Sequence, residues 1–397
     1  MKKSITLLFI AAATALLSLC GAFFTHNHNT AQPVEAQVQI NSEYSFSLDK
    51  ARSLINLCAL SYDETELLEA VQALGYTDFE YICRNQDSTF GSGIAFGIAV
   101  SKQESTTQVL AIFRGTNKGE WYSNFQIGEG IEHAGFAPAT DFAQAEVERY
   151  LEALGIDASK AKILITGHSR GGAVANLLAK RLTDEAKFSS VTAYTFASPN
   201  TTTAQSAKSS QYNNIYNLIN PEDFICYIPL TDWGYTKYGV DLEFPRDIQQ
   251  GYEEQYAQMQ QTFEEFAGYS HIGYPMGGSD VRLFLRTAAQ IAPTLSDYYN
   301  KELTVTPHRM TLDNYMQKVA ALLCGDNTLQ NGMFLVSSGG SNLFDTLTQF
   351  MMEGIQIEDV AKDADITTSA INCGHTYETY SAWLSVLDAE YFERFAL

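Results

Sequence analysis

Three kinds of side chain in this sequence have the chemistry for nucleophilic catalysis: a serine framed by glycines, an aspartate behind an apolar run, and a few histidines. The serine is Ser169, within Gly167-His168-Ser169-Arg170-Gly171. Ile163 to Thr166, before it, reads as a buried strand, and Ala173 to about Arg181, after it, as a helix. Strand, sharp turn and helix form the context in which G-x-S-x-G acts as a nucleophile elbow. The turn strains the serine backbone and exposes its hydroxyl. Neighbouring side chains collide there unless small, hence glycine two places before and two after. The helix N-terminus, with its positive partial charge, points at the serine. Without the flanking elements the same pentapeptide would be an ordinary turn with a capping serine.

A serine hydroxyl is a poor nucleophile at neutral pH and needs a base, with a carboxylate to orient that base. Asp223 follows an apolar strand and suits the acid role; Glu222 beside it is a competing carboxylate. The histidines beyond it are His271, His308 and His375. His308, between Pro307 and Arg309, reads as a surface residue. His168 is expected to pack beside the serine rather than act as base, and His133 to be a structural hydrogen-bonding residue.

The elements that must position these groups read along the chain as follows. Leu48 to Leu60 has apolar residues at helical spacing. Asp63 with Glu66 resembles a capping box opening a second helix, through Leu74 and ended by Gly75. Gly93 to Ser101 and Gln108 to Phe113 are predicted strands, the second ending in Arg114-Gly115-Thr116-Asn117. Backbone N–H groups and a small hydroxyl at such a strand end sit where α/β enzymes put their chemistry. Ala137 to Leu154 is a predicted amphipathic helix with Phe142, Ala145, Tyr150, Leu151 and Leu154 inward. Ser190 to Phe196 and Asn214 to Ile219 are further strands separated by a polar loop, Thr201 to Gln211. Strands alternating with helices imply an α/β fold with a mostly parallel sheet covered on both faces. Beyond Leu230 an edge at Trp233 to Gly239 and helices at Ile248–Phe266, Asp280–Ile291, Leu312–Leu323 and Leu343–Gly354 are expected. They read as a helical insertion, about 240–365, over the active-site edge or completing the core. Tyr252, Tyr256, Phe263, Phe266 and Tyr269 suit either a lid or core packing.

Six segments together resemble the class 3 (fungal-type) lipases of the α/β-hydrolase fold. They are Ile112 to Thr116, Trp121 to Phe125, His133 to Phe136, the elbow, Thr195 to Pro199, and Asp223 to Pro229, within about Gly93 to Leu230. The resemblance implies Asp223 as the acid, and an oxyanion hole from the backbone N–H groups of Thr116 and Arg170, with the Thr116 hydroxyl as a further donor. Arg170 departs from the apolar residue usual at its place, so its side chain is expected to modify acyl or head-group preference. His375, just before a C-terminal amphipathic helix and five residues ahead of Tyr380, resembles the histidine segment of several relatives. His271 has the separation from Asp223 found in compact fungal lipases, but choosing it leaves the C-terminal segment outside the fold. His375 is the expected base and His271 the alternative. The implied activity is ester hydrolysis through an acyl-enzyme, on acyl esters such as acylglycerols, with no metal or organic cofactor required. Acyl transfer or phospholipid deacylation on the same triad is the alternative. A catalytically silent surface protein on this fold is the third reading, since fold alone does not establish activity.

The 397 residues carry a net charge of −21, with no basic stripe to meet phosphates, which argues against a nucleic-acid partner. Lys2-Lys3 followed by the apolar run Ile5 to Leu19 reads as an export signal, so the protein is expected outside the cytoplasm. Residues 1–24 are thus a signal peptide or an N-terminal membrane anchor, 25–42 a tether, and 43–397 the catalytic domain. Cleavage near Ala22, lipidation at Cys20 and retention as an anchor are the alternative fates of this segment. Cys58, Cys83, Cys226, Cys324 and Cys373 show no C-x-x-C spacing, and nothing pairs them.

Overall fold

Near-continuous apolar runs along the central strands decide the architecture, because each of these strands buries both faces. The computed structural model describes residues 46–84, 93–102, 106–117, 120–124, 130–229, 231, 234–273 and 373–395. The N-terminal segment and tether, His308, Cys20, Cys324, Trp233 and the three helices expected between Asp280 and Gly354 lie outside the described residues.

In chain order the elements are α1 (Leu48–Leu60), α2 (Glu64–Ala73), β1 (Asp78–Arg84), β2 (Ile94–Lys102) and β3 (Thr107–Phe113). Then come α3 (Trp121–Asn124), α4 (Ala137–Ala153), β4 (Ala161–His168), α5 (Arg170–Glu185), β5 (Ser190–Phe196) and β6 (Ile215–Ile219). β7 (Val240–Glu243), α6 (Tyr252–Ala267), α7 (Tyr377–Val386) and α8 (Ala389–Glu393) complete the set. Among the described residues seven strands form one sheet, in the order β1 to β7. β1, β2 and β3 pair antiparallel; β3 through β7 pair parallel. This is the mostly parallel sheet expected of the α/β-hydrolase fold.

Each face of the sheet carries its own core. Val109, Ala111 and Phe113 of β3 and Ile163 and Ile165 of β4 face α4 and α5. Leu110, Ile112 and Leu164 face the opposite way, with α1, α2, α6 and α7. α5 is buried almost throughout and starts directly after Ser169, three residues earlier than expected, with Gly171, Gly172, Ala173 and Ala175 in its first turns. Small residues let this helix approach the strands closely: a Cβ at Gly171 would collide with the carbonyl oxygens of Phe113 and Arg114.

Several elements differ from expectation. β1 was not foreseen; it is an edge strand of mixed polarity, so it shows no clean alternation. The sheet edge lies at Val240–Glu243, after rather than within Trp233 to Gly239. The polar loop Thr201 to Gln211 contains two short 3-10 turns, at Gln205–Lys208 and Ser210–Tyr212. In α4 it is Ala139, Ala143 and Val147, with Tyr150 and Leu151, that are buried, while Ala145 is exposed.

α6 begins at Tyr252 rather than Ile248 and lies against α7. Tyr252 and Tyr256 stack on one another at 5.1 Å and sit 6.3 and 6.0 Å from the ring of the fully buried Trp383. Phe263 is buried as well. Phe263 belongs to the core and Tyr252 and Tyr256 pack half-buried against it, whereas Phe266 and Tyr269 are exposed. Arg52 of α1 donates to the carbonyls of Leu384 and Leu387 at 2.9 and 3.1 Å, capping the end of α7. The C-terminal segment is thereby fixed from two sides. Among the described residues no helix is long and apolar enough to cross a membrane.

Candidate active site

The C-terminal ends of β3, β4 and β6 deliver three loops to one edge of the sheet, where open α/β sheets place their sites. At the end of β4, Ser169 has φ 56° and ψ −126°, left-handed backbone that a non-glycine residue rarely adopts. The strain is held by neighbours: the Ser169 N–H donates to Phe196 O at 2.9 Å and its carbonyl accepts from Ala173 N–H at 3.1 Å. A side chain at Gly167 would collide with the Gly171 carbonyl, so the turn closes only with glycine there. The hydroxyl is left above the N-terminus of α5.

The loop after β6 carries Asp223, and α7 is preceded by His375. His375 Nε2 lies 2.9 Å from Ser169 Oγ, and its Nδ1 lies 2.9 Å from Asp223 Oδ2. His375 is 1 % exposed and Asp223 1 % exposed, so water does not compete for the bond between them. Asp223 has further donors. The Tyr380 hydroxyl donates to Oδ2 at 2.8 Å, the Ile225 N–H to Oδ1 at 3.1 Å and the Cys226 thiol to Oδ2 at 3.5 Å. Burial, reinforced by the Asp223 charge, pushes the pKa values of Tyr380 and Cys226 far up, so both stay protonated donors. The Tyr380 oxygen in turn accepts from Asn220 N–H at 3.1 Å, tying the acid loop to α7. Buried Lys237 holds the far side of that loop through the Cys226 carbonyl, at 2.5 Å, and Asn200 Oδ1, at 3.1 Å.

Glu222 points elsewhere, accepting from the hydroxyls of Tyr252 and Tyr256 at 3.2 and 3.3 Å. The other histidines are also accounted for. His168 Nε2 donates to the His375 carbonyl at 2.8 Å, which fixes the main chain beneath the His375 ring. Burial, with the His375 charge next, lowers its pKa to about 3. His133 accepts from Gly135 N–H at 3.1 Å and stacks on Phe136, and burial together with Arg170 lowers its pKa to about 3. His271 packs edge-on against Tyr256 and Phe263, 5.8 and 4.9 Å between ring centroids. Neither of its ring nitrogens meets a partner among the described residues, and burial lowers its pKa to about 4. The structure thus brings Ser169, His375 and Asp223 together and leaves His271 outside.

The loop after β3 lies directly against Ser169: a Cβ at Gly115 would be 3.5 Å from Ser169 Cβ. Buried Arg114 pairs with buried Glu120 at 2.6 Å, and the other Glu120 oxygen accepts from Asn117 N–H at 2.8 Å. A buried pair with its remaining lone pairs satisfied fixes geometry more than it adds stability. Thr116 follows Gly115 in this clamp, and its Oγ1 accepts from Asn124 Nδ2 at 2.9 Å.

The Arg170 side chain does not face an acyl or head-group surface, contrary to expectation. It is 2 % exposed and donates to Gly93 O at 3.1 Å, Gly135 O at 3.4 Å and Asn124 Oδ1 at 2.8 Å. Burial, partly offset by Glu120, lowers its pKa to about 10, so it remains cationic at neutral pH. Sequence reasoning gave no role to Asn124, Glu120, Tyr380 or Lys237. The signals were there for two of them: Tyr380 one turn into the helix after the base, and Asn124 within the quoted Trp121 to Phe125 segment. A strained serine, a base in contact with it, a buried acid behind the base and a pinned backbone loop beside them can perform acyl transfer through a covalent serine ester.

Residues 101–233 match the family model described as Lipase (class 3). A search of the curated proteins found no match. Among solved structures the chain is similar to the triacylglyceride lipase of Rhizomucor miehei, at 21% identity over 50% of this chain and 80% of that one, with TM-score 0.38. It is similar to a mutant form of MDLA from Penicillium cyclopium, at 22% identity over 50% and 80% of the two chains, with TM-score 0.40. It is also similar to a lipase from Rhizopus microsporus var. chinensis, at 17% identity over 55% and 84% of the two chains, with TM-score 0.38.

Proposed function

With a serine hydrolase carrying a class 3 lipase segment at residues 101–233 as the premise, we propose that the chain is an exported carboxylic-ester hydrolase acting on acyl esters, acylglycerols among them. Its triad is Ser169, His375 and Asp223. The observation that carries the reading is the unbroken contact from Ser169 Oγ to His375 Nε2, and from His375 Nδ1 to Asp223 Oδ2, at 2.9 Å each. Export rests on the Lys2-Lys3 and Ile5 to Leu19 pattern. The proposed catalytic unit is 43–397 with a helical insertion at about 240–365, and α6 lying on α7 supports that reading.

In the proposed reaction Ser169 attacks the ester carbonyl carbon while His375 Nε2 takes the hydroxyl proton. The carbonyl π pair moves onto oxygen, and the resulting charge falls to the backbone N–H groups of Thr116 and Arg170 and to the Thr116 hydroxyl. Collapse of the tetrahedral centre expels the alcohol, which takes the proton from His375. Water, deprotonated by the same nitrogen, then releases the acid. Asp223 holds the imidazole in the tautomer with the proton on Nδ1 and stabilises the imidazolium. Tyr380, Cys226 and the Ile225 N–H keep that carboxylate aimed.

The test is hydrolysis of p-nitrophenyl esters of several acyl lengths by wild type, Ser169→Ala, His375→Ala and His271→Ala, with circular dichroism to verify folding. The expected result is loss of activity in the first two variants and retention in the third. Activity lost in His271→Ala and kept in His375→Ala would overturn the assignment of the base.

A further inference from the structure

The direction of the hydrogen bonds beside Thr116 carries information that the distances alone do not. A guanidinium has only donors, so the Asn124 group 2.8 Å from Arg170 Nη1 must be its carbonyl oxygen. The Asn124 amide nitrogen therefore faces Thr116 Oγ1, at 2.9 Å, and a carboxamide nitrogen only donates. Thr116 Oγ1 is thereby the acceptor in that bond. Its own hydrogen is unspent among the described residues. The loop that bears it abuts Ser169 through Gly115. Arg170 cannot slip out of this arrangement, because Gly93 O and Gly135 O hold its other nitrogens and the Phe136 ring lies 5.5 Å below.

We propose that Arg170 is a positioning residue whose buried guanidinium, acting through Asn124, orients the Thr116 hydroxyl as an obligate donor to the oxyanion. Arg170 thus serves twice, with its backbone N–H at the oxyanion and with its side chain behind the second donor. The relay runs in one direction: guanidinium N–H to carboxamide oxygen, carboxamide N–H to hydroxyl oxygen, hydroxyl hydrogen to substrate oxygen. Hydrogen bonds in series polarise one another, so a cation at the head strengthens the last donor. The relay also spares the hydroxyl a rotation at the moment charge develops, which is the advantage of a preorganised donor. This rests on the ester-hydrolase reading of the site.

Asn124→Asp tests the direction without changing shape. A carboxylate still accepts from Arg170, so the buried cation keeps its partner, but it has no proton for Thr116. The hydroxyl then turns to donate to the carboxylate and is lost to the oxyanion. The measurements are kcat and KM on a p-nitrophenyl ester for wild type, Asn124→Asp, Thr116→Val, Thr116→Ser and the double variant Thr116→Val/Asn124→Asp, each normalised by fluorophosphonate titration of Ser169. The expected result is a kcat lower by roughly 10- to 100-fold in Asn124→Asp and in Thr116→Val, with KM nearly unchanged. Thr116→Ser stays close to wild type, and the double variant is no slower than Thr116→Val alone. Wild-type kcat in a folded Asn124→Asp, or losses that multiply in the double variant, would overturn the relay. If Asn124→Asp does not fold, Thr116→Val decides: unchanged kcat overturns the proposal, and a loss restored by Thr116→Ser upholds the donor at its end. A wild type that is folded but not labelled at Ser169 would instead refute the ester-hydrolase reading, and the relay with it.

Discussion

At the scale of single residues, Tyr380 shows how Asp223, the proposed acid, is held in place. Its hydroxyl is one of the close donors to Asp223 Oδ2, and its ring packs among Phe196 and Phe244. Tyr380→Phe keeps that packing and removes only the bond. A hydrogen bond to a buried carboxylate is worth about 1–3 kcal/mol, so kcat is expected to fall roughly 10-fold with KM little changed and the fold intact. Unchanged kcat would mean that Ile225 N–H and Cys226 suffice to hold Asp223. Local pattern could not reveal this residue's partner, since the bond spans 157 positions of sequence, and the Arg170 to Asn124 bond spans 46. The elbow was legible at Ser169 because strand, turn and helix are all local. Asp223 and His375 were legible as chemistry after the family pattern was seen. The inward course of the Arg170 side chain was not, because a charged residue after the nucleophile gives no hint that Gly93, Gly135 and Asn124 await it.

At the scale of elements, the elbow depends on α5 reaching the sheet without side chains in between. The Cβ of an alanine at Gly171 would collide with the carbonyls of Phe113 and Arg114 at the end of β3, and backbone there has no room to move aside. Gly171→Ala is therefore expected to destabilise by about 1–3 kcal/mol or more and to lower activity further, since the displaced strand end carries the Thr116 loop. A melting temperature and kcat both equal to wild type would show that α5 has slack that the structure does not display. The strands β3 to β6 and helices α1, α2 and α4 were readable from periodicity, within a residue or so at most ends. Edge elements were not. β1 mixes charged and apolar residues because only part of it is covered, and the four-residue β7 is too short for alternation to register. α6 was legible as an amphipathic helix, but whether its aromatic side faced a lid or a core was decided by Trp383 on α7, over a hundred positions away.

At the scale of the whole molecule, His133, His168 and His271, buried and held neutral among the described residues, couple stability to pH. His133 and His168 have folded pKa values of about 3 and His271 about 4, all lowered by burial. In the unfolded chain histidine titrates near ~6.5. Between those values the unfolded chain binds more protons, so stability is complete above about pH 6.5 and declines as pH falls towards 4 and then 3. The slope is at most ~1.4 kcal/mol per pH unit for each histidine. His271→Phe removes one of the three without disturbing the triad contacts. The expected outcome is a smaller gap in melting temperature between pH 7 and pH 5 than in wild type, worth up to ~2 kcal/mol, with ester hydrolysis retained. An unchanged gap would mean that His271 does not titrate on unfolding. The net charge of −21 acts at the same scale: it favours solubility and works against binding to anionic surfaces.

The most direct test of the account is covalent labelling by a fluorophosphonate, with the modified residue located by mass spectrometry. The phosphonyl group reports the nucleophile, and the labelling rate reports the base that activates it. One modification per chain is expected, on Ser169, with the rate falling by several orders of magnitude in His375→Ala and staying close to wild type in His271→Ala. A folded wild type that takes up no label, or label on another residue, would contradict it.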